Sequence, residues 1–348
     1  MEIRPATAEE VQNAQAAGAS PLVRLALSME CCISQEEMHT NFYATLDRGF
    51  TPINDHIGKD SGTCSLVGAA PSIKQTYKDL KGDVVAINSA IGFLLDNGVV
   101  PKYAMLWDGA DIVEEFARPH PEVTYLIASR CHAKVFERLK DCKVVVWHAG
   151  GDHDIFDVMQ KQEVIQKIGI SQPLVLGGSA GITRGIFLVA ALGYSDVHLF
   201  GADSSYSSEG KTHVNGSLVK EKDMVVSLGN GPAGSPAQSV VFRTTPELCA
   251  QVNEYRSIYA MSVNAASGIR KGLYPPSMIA PKFSVHGAGL LKAMHERLEA
   301  KLATDGEDKF LADIAKEDEQ QRMMDTTITA ATTGNTPERK DDAEHVSY

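Results

Sequence analysis

Short, continuously apolar runs alternate with segments of helical spacing from Thr63 to Asp203. TCSLVGA (63–69), DVVAIN (83–88), YAMLWD (103–108), VTYLIAS (123–129), KVVVWHA (143–149), PLVLGG (173–178) and DVHLFGAD (196–203) read as seven strands. These runs lack the in–out alternation of a half-solvated sheet, as strands covered on both faces do. Helices are predicted after the first strand through Leu80, over Ser89–Asn97, over His132–Lys140 and over residues 179–193. Strand–helix alternation at this spacing predicts an α/β fold: a Rossmann-like, doubly wound, mostly parallel sheet with right-handed crossovers.

The flanks read differently. Residues 1–60 form a helical N-terminal cap, with helix-prone stretches at Ala8–Ala17, Pro21–Met29 and Gln35–Arg48, the last ending near Gly49. After Ser204 a loop is expected to about Thr245, then a helix over Pro246–Tyr259, a last strand at YAMSVN (259–264) and an amphipathic helix over His286–Leu302. The expected organisation is a cap (1–60), a nucleotide-binding catalytic domain (61–282), a helical extension (283–324) and a disordered tail (325–348).

The 348 residues, 43% hydrophobic and 22% charged, are enough for a sizeable core without covalent staples. The net charge of −11, with no Lys/Arg block, disfavours nucleic acid as a partner. Cys31, Cys32, Cys64, Cys131, Cys142 and Cys249 form no C-x-x-C pair and read as reduced thiols. The acidic start, MEIRPATAEE, is unlike a signal peptide, and no apolar run is long enough for a membrane span. A cytoplasmic location is expected, and a homo-oligomer is compatible with this composition.

In an open α/β sheet ligands bind beyond the carboxyl ends of the strands, so the chemistry is sought there. Gly68, Ala69 and Ser72 lie in a strand-to-helix turn whose small residues can admit a phosphate or form an ordinary tight turn. Asn88 and Ser89 can bond a base or ribose, or cap the next helix. Asp108, before Gly109, suits ribose hydroxyls or Mg²⁺, or a structural turn. Gly177, Gly178, Ser179 and Gly181 open a longer helix and are mechanically the best anion cradle. The stretch 201–216 brings Asp203, Tyr206, Lys211, Thr212 and His213 to a strand end, His213 being the natural acid–base group near neutrality. His132, Trp147, His148 and His153 read as ordinary structural residues, and Asp152-His153-Asp154 lacks a third element for a metal site.

As an ordered set these segments resemble the MptE-like family, named for archaeal 6-hydroxymethylpterin diphosphokinase. That family is related to bacterial motility-associated flagellin glycosyltransferases and distantly to bacterial sialyltransferases that use a CMP-activated sugar. The resemblance rests on GAAPSI (68–73), Asn88, LLDNGVVPKY (94–103), Asp108, GGSAGITRG (177–185), ALGYSDVHLFGADSSY (191–206), GKTH (210–213) and, loosely, NAASGIRKG (264–272). Ala70 stands where the family has a second glycine, and Lys102 where it has Asp.

The resemblance implies a transferase with a nucleotide-type donor, a hydroxyl acceptor and no tightly bound cofactor. A glycosyltransferase would lay a nucleotide-sugar across 68–73, 88–89 and 177–181, with His213 as base or acid and Lys211 and Tyr206 at the leaving phosphate. A diphosphokinase would place ATP and Mg²⁺ there, with Asp108 and Asp203 as metal ligands. A non-catalytic nucleotide-binding or assembly protein is the third reading. Sugar transfer is the reading preferred from the sequence.

Overall fold

The computed structural model describes residues 20–21, 33–150, 159, 161–168, 174–175, 177–178, 180–214, 224–229, 239–266 and 281–319. Twelve strands are seen among them: β1 (Ser20–Pro21), β2 (Thr51–Pro52), β3 (Thr63–Val67), β4 (Asp83–Ile87), β5 (Tyr103–Leu106), β6 (Thr124–Ala128), β7 (Lys143–Ala149), β8 (Leu174–Val175), β9 (Asp196–Phe200), β10 (Met224–Gly229), β11 (Ser239–Thr244) and β12 (Lys282–Val285).

Nine of them form one sheet in the order β12-β9-β3-β4-β5-β6-β7-β2, with β8 also on β7. Every pairing in it is parallel. The seven expected strands are all present. β3, β4, β5 and β6 are buried along nearly their whole length, which is why their sequences do not alternate. Helix Gly181–Leu192 lies across β3 and β4, and Gly185 makes this possible: a Cβ there would stand 2.9 Å from Ile87 and 3.1 Å from Leu66.

Helix Gln35–Arg48 matches its expected span. The Ser34 hydroxyl accepts from the Glu37 N–H at 3.2 Å, and the Glu37 carboxylate accepts from the Ser34 N–H at 2.8 Å, a capping box. Its buried face, Met38, Asn41, Phe42, Thr45 and Leu46, packs beside Met159 and Val164. The expected helix at 8–17 and the expected disordered tail lie outside the described residues, as does the expected helix at 21–29 except for Pro21, which is in strand β1.

Three expectations are corrected. The loop after Ser204 contains the antiparallel hairpin β10–β11, with Val226, Leu228, Phe242 and Thr244 buried in alternation. Surrounding Gly, Ser and Pro hid that alternation. YAMSVN is no strand but the end of helix Pro246–Ala266; Tyr255, Ile258, Tyr259 and Ser262 share its buried face at helical spacing. The chain over 282–285 is the edge strand β12, and the following helix starts at Leu290, not at His286. Lys102, where the family has Asp, bonds Asp60 at 2.6 Å and Asp83 at 2.5 Å, at the amino rim away from the candidate site. Among the described residues no helix is long and apolar enough to cross a membrane.

Candidate functional site

From β3 the chain steps outward through β4, β5, β6 and β7; with β9 it returns to the other side of β3. The crossovers diverge between β3 and β9, and a ligand crevice belongs at that switch point. The two loops there interlock. The Gly68 N–H donates to Phe200 O at 2.8 Å and the Ala70 N–H to Gly201 O at 3.0 Å. A Cβ on Gly68 would stand 2.5 Å from Gly201 O, and one on Gly201, at φ +56, 2.2 Å from Gly68 O. Neither backbone can yield without parting the strand ends.

Gly201→Ala is therefore expected to cost about 3 kcal/mol, combining left-handed strain with a backbone overlap. Gly210→Ala, at φ +72 with only Arg243 nearby at 3.9 Å, should cost about 1 kcal/mol. Urea midpoints of the two variants check this, and equal losses would show that the interlock contributes nothing.

Asp203 ties the same loops together. Its Oδ2 accepts from the Ser72 N–H at 3.0 Å and its Oδ1 from the Ser72 hydroxyl. Burial pushes its carboxyl up to about 6, against the lowering pull of both Ser72 donors. The Val214 N–H donates to Ala69 O at 2.7 Å, which lays Thr212–Val214 along the first loop. His213 is half-buried, and desolvation lowers its pKa from the ordinary value. Its Nδ1 is 3.0 Å from Thr212 Oγ1. A donated Nδ1–H would leave Nε2 as the basic nitrogen.

Tyr206 is pinned to the hairpin. Its N–H donates to Arg243 O at 2.9 Å, and the Arg243 guanidinium lies 4.6 Å from its ring centre. Lys211 is on the rim, paired with Glu209 at 2.8 Å.

At the end of β4, Asn88 adopts φ 45, and its buried Oδ1 has no hydrogen-bond partner among the described residues. Ser204, after β9, shares both properties at φ 51, with its buried Oγ also without a partner. Left-handed non-glycine residues cost energy and concentrate at functional sites. The capping alternative for Asn88–Ser89 is not realised: Ser89 precedes helix Ala90–Asp96 but makes no side-chain cap bond. Asp108 Oδ1 accepts from the Ala110 N–H at 3.1 Å.

Gly177 and Gly178, at φ +83 and +76, pass under helix Gly181–Leu192; a Cβ on Gly178 would stand 2.3 Å from Arg184 N. Gly181 faces Ile87 and Trp107, and Ile182 Cδ1 is 3.3 Å from the Cβ position of Gly68. Gly68, Ala69, Ser72, Gly181 and the His213 segment thus occupy one rim. Ser179 lies outside the described residues, as do His153 and the Asp152–Asp154 motif.

Sequence reasoning missed a neighbouring group. Trp107 follows β5, with the Arg130 and Arg184 guanidiniums 5.4 and 5.3 Å from its ring centre. Both arginines are buried, and Arg184 Nη1 donates to Gly150 O at 2.7 Å and Val175 O at 2.9 Å. An arginine at the start of an otherwise apolar helix was the available signal. Trp147 and His148 are fully buried, and His132 accepts from the Lys134 N–H at 3.3 Å as a helix cap.

One Mg²⁺ held jointly by Asp108 and Asp203 does not fit this donor set. Three strand spacings, about 14 Å, separate their strands, and Ser72 engages both Asp203 oxygens. Among the described residues no three His, Cys, Asp or Glu side chains could hold a metal ion.

A doubly wound parallel sheet with glycine-bearing loops at its switch point defines a Rossmann-like α/β protein. The family model described as "6-hydroxymethylpterin diphosphokinase MptE-like" matches residues 36–209, and the chain belongs to that family. The match stops before Lys211, Thr212 and His213.

Among solved structures, the MAf glycosyltransferase from Magnetospirillum magneticum AMB-1 is similar at 16% identity and TM-score 0.42 over 86% of this chain and 45% of that one. This chain therefore spans less than half the length of that protein. A mammalian sialyltransferase is similar at 14% identity and TM-score 0.34 over 78% of this chain and 88% of that one. Comparison with curated proteins gives no match.

Proposed function

We propose that the chain is a transferase that binds a nucleotide-activated sugar at the carboxyl rim and passes the sugar to an acceptor hydroxyl. The observation that carries this reading is the Val214-to-Ala69 hydrogen bond, which sets His213 against the loop 68–72. The donor's phosphates would meet the loops at 68–72 and 177–181, and the orphaned Asn88 oxygen would accept from ribose or base. His213, kept neutral by burial, would take the acceptor proton. Asp203 would hold Ser72 and the loop in place. Lys211, Thr212 and Tyr206 would line the leaving-phosphate side.

The second reading, diphosphate transfer from ATP to a hydroxymethyl group, draws on the family's description. Asp108 alone would then have to hold Mg²⁺ with the phosphates. A third reading, nucleotide binding without turnover, keeps the same loops.

Thermal unfolding with nucleotides and nucleotide-sugars, with and without Mg²⁺, separates the three. A true donor at a hundred times its Kd should stabilise the chain by about 2.7 kcal/mol. Sugar transfer releases the donor's nucleotide with or without metal. Strict Mg²⁺ dependence with AMP release would replace it with the diphosphokinase reading, and stabilisation without turnover would leave the binding protein.

A further inference from the structure

A cavity lies at the amino rim of the sheet, opposite the candidate site. It is an open groove of about 650 Å³, lined by the first residues of β6 and β7, by β2, and by the turns after helices Gln35–Arg48 and Ala133–Arg138. Strand β7 is seven residues long, so roughly 20 Å of sheet separates the two rims.

The wall is apolar: Phe136, Leu139 and Val145 are buried, and Phe50 packs beside them. The edge is cationic. Arg48, Lys140 and Lys143 line it against one carboxylate, Glu137, in a chain whose net charge is −11. Arg48 is fixed: its guanidinium lies 4.7 Å from the Phe136 ring centre and bonds Glu137 at 3.1 Å. Lys140 and Lys143 make no ion pair among the described residues. Cys142 adds a half-buried thiol. None of these groups belongs to the candidate active site.

We infer that this cavity is a separate binding site for a small anion with an apolar body, an aryl or acyl carboxylate or phosphate. The volume is that of a small-molecule site, about 300–1,000 Å³. The body would cover the half-buried Phe50 and Val144, which lie over that buried wall, and the head group would neutralise Lys140 and Lys143, charges otherwise spent on water. β2 pairs only with Val145 and Val146, so the pocket opens beside the uncovered start of β7 at Lys143 and Val144.

The test uses the full chain with naphthyl phosphate, naphthoate and uncharged naphthol. Calorimetry measures affinity, and peptide mass mapping measures protection of Cys142 from N-ethylmaleimide. At least one anion should bind one-to-one, about tenfold tighter than naphthol, and slow Cys142 alkylation. The double variant Lys140→Glu, Lys143→Glu should lose about tenfold in anion affinity with an unchanged unfolding midpoint, both lysines being exposed. Equal binding of naphthol and the anions would overturn the inference. So would wild-type affinity in the double variant, or protection of Cys142 by an extended polyglutamate peptide and by neither anion. Because these readouts need no turnover, they are independent of the transferase assignment.

Discussion

Replacing His213 with Ala should lower kcat by about 10²- to 10⁴-fold, the usual contribution of a positioned general acid or base. Donor binding, read by thermal stabilisation, should change little, because the first loop is held by Gly201, Val214 and Asp203 through backbone and carboxylate contacts. The pH profile adds a signature. Desolvation lowers the His213 pKa, so the neutral base persists below the ordinary histidine value of about 6.5. The acid limb of kcat/KM should fall below that value and vanish in His213→Ala.

Asp203 complicates that limb because burial raises its carboxyl to about 6. The two groups shift in opposite directions, His213 downward and Asp203 upward, and wild-type kinetics alone cannot assign the limb to either. Asp203→Asn separates them. If His213 is the base, Asp203→Asn keeps the acid limb; if the limb disappears with that variant, the base assignment is wrong.

The sheet was legible because each central strand is a continuous apolar run, and a strand covered on both faces has no other pattern available. The glycine turns were legible as strand-to-helix punctuation. Strand order was not: no local feature says that β9 returns beside β3, and that pairing makes the site. Hairpin β10–β11 was missed because its alternation is brief and sits among turn-forming residues, and YAMSVN because aromatic and β-branched residues suit strand and helix faces alike. At the site, residue types pointed to Asn88 and His213. The orphaned Ser204 hydroxyl and the Trp107 group depend on tertiary packing that no local window contains.

The second large effect concerns acid stability and arises at His148. The side chain is fully buried, with ring centres of Phe42 and Phe50 each 5.9 Å away. Neither ring nitrogen has a hydrogen-bond partner among the described residues. Burial pushes its pKa down to about 4. For a base depressed in the folded state, the unfolded chain binds the extra proton as pH falls. Stability from the neutral ring is therefore complete above about pH 6.5 and is lost toward pH 4, by about 3 kcal/mol. Asp203 works in the opposite sense. Its carboxyl, raised to about 6 by burial, makes the folded state the stronger proton binder between that pH and its ordinary value, so acidification adds about 3 kcal/mol. The two contributions nearly offset, and wild-type stability hides both. Urea unfolding at pH 7 and near pH 4 should expose them singly. His148→Leu, of similar volume and without the unpartnered nitrogens, should gain on wild type by about 3 kcal/mol as pH falls. Asp203→Asn should lose on wild type by a similar amount over the same interval. Parallel pH curves for wild type and His148→Leu would mean that the ring is not held neutral in the folded chain, and the packing of helix Gln35–Arg48 on β7 would need another account.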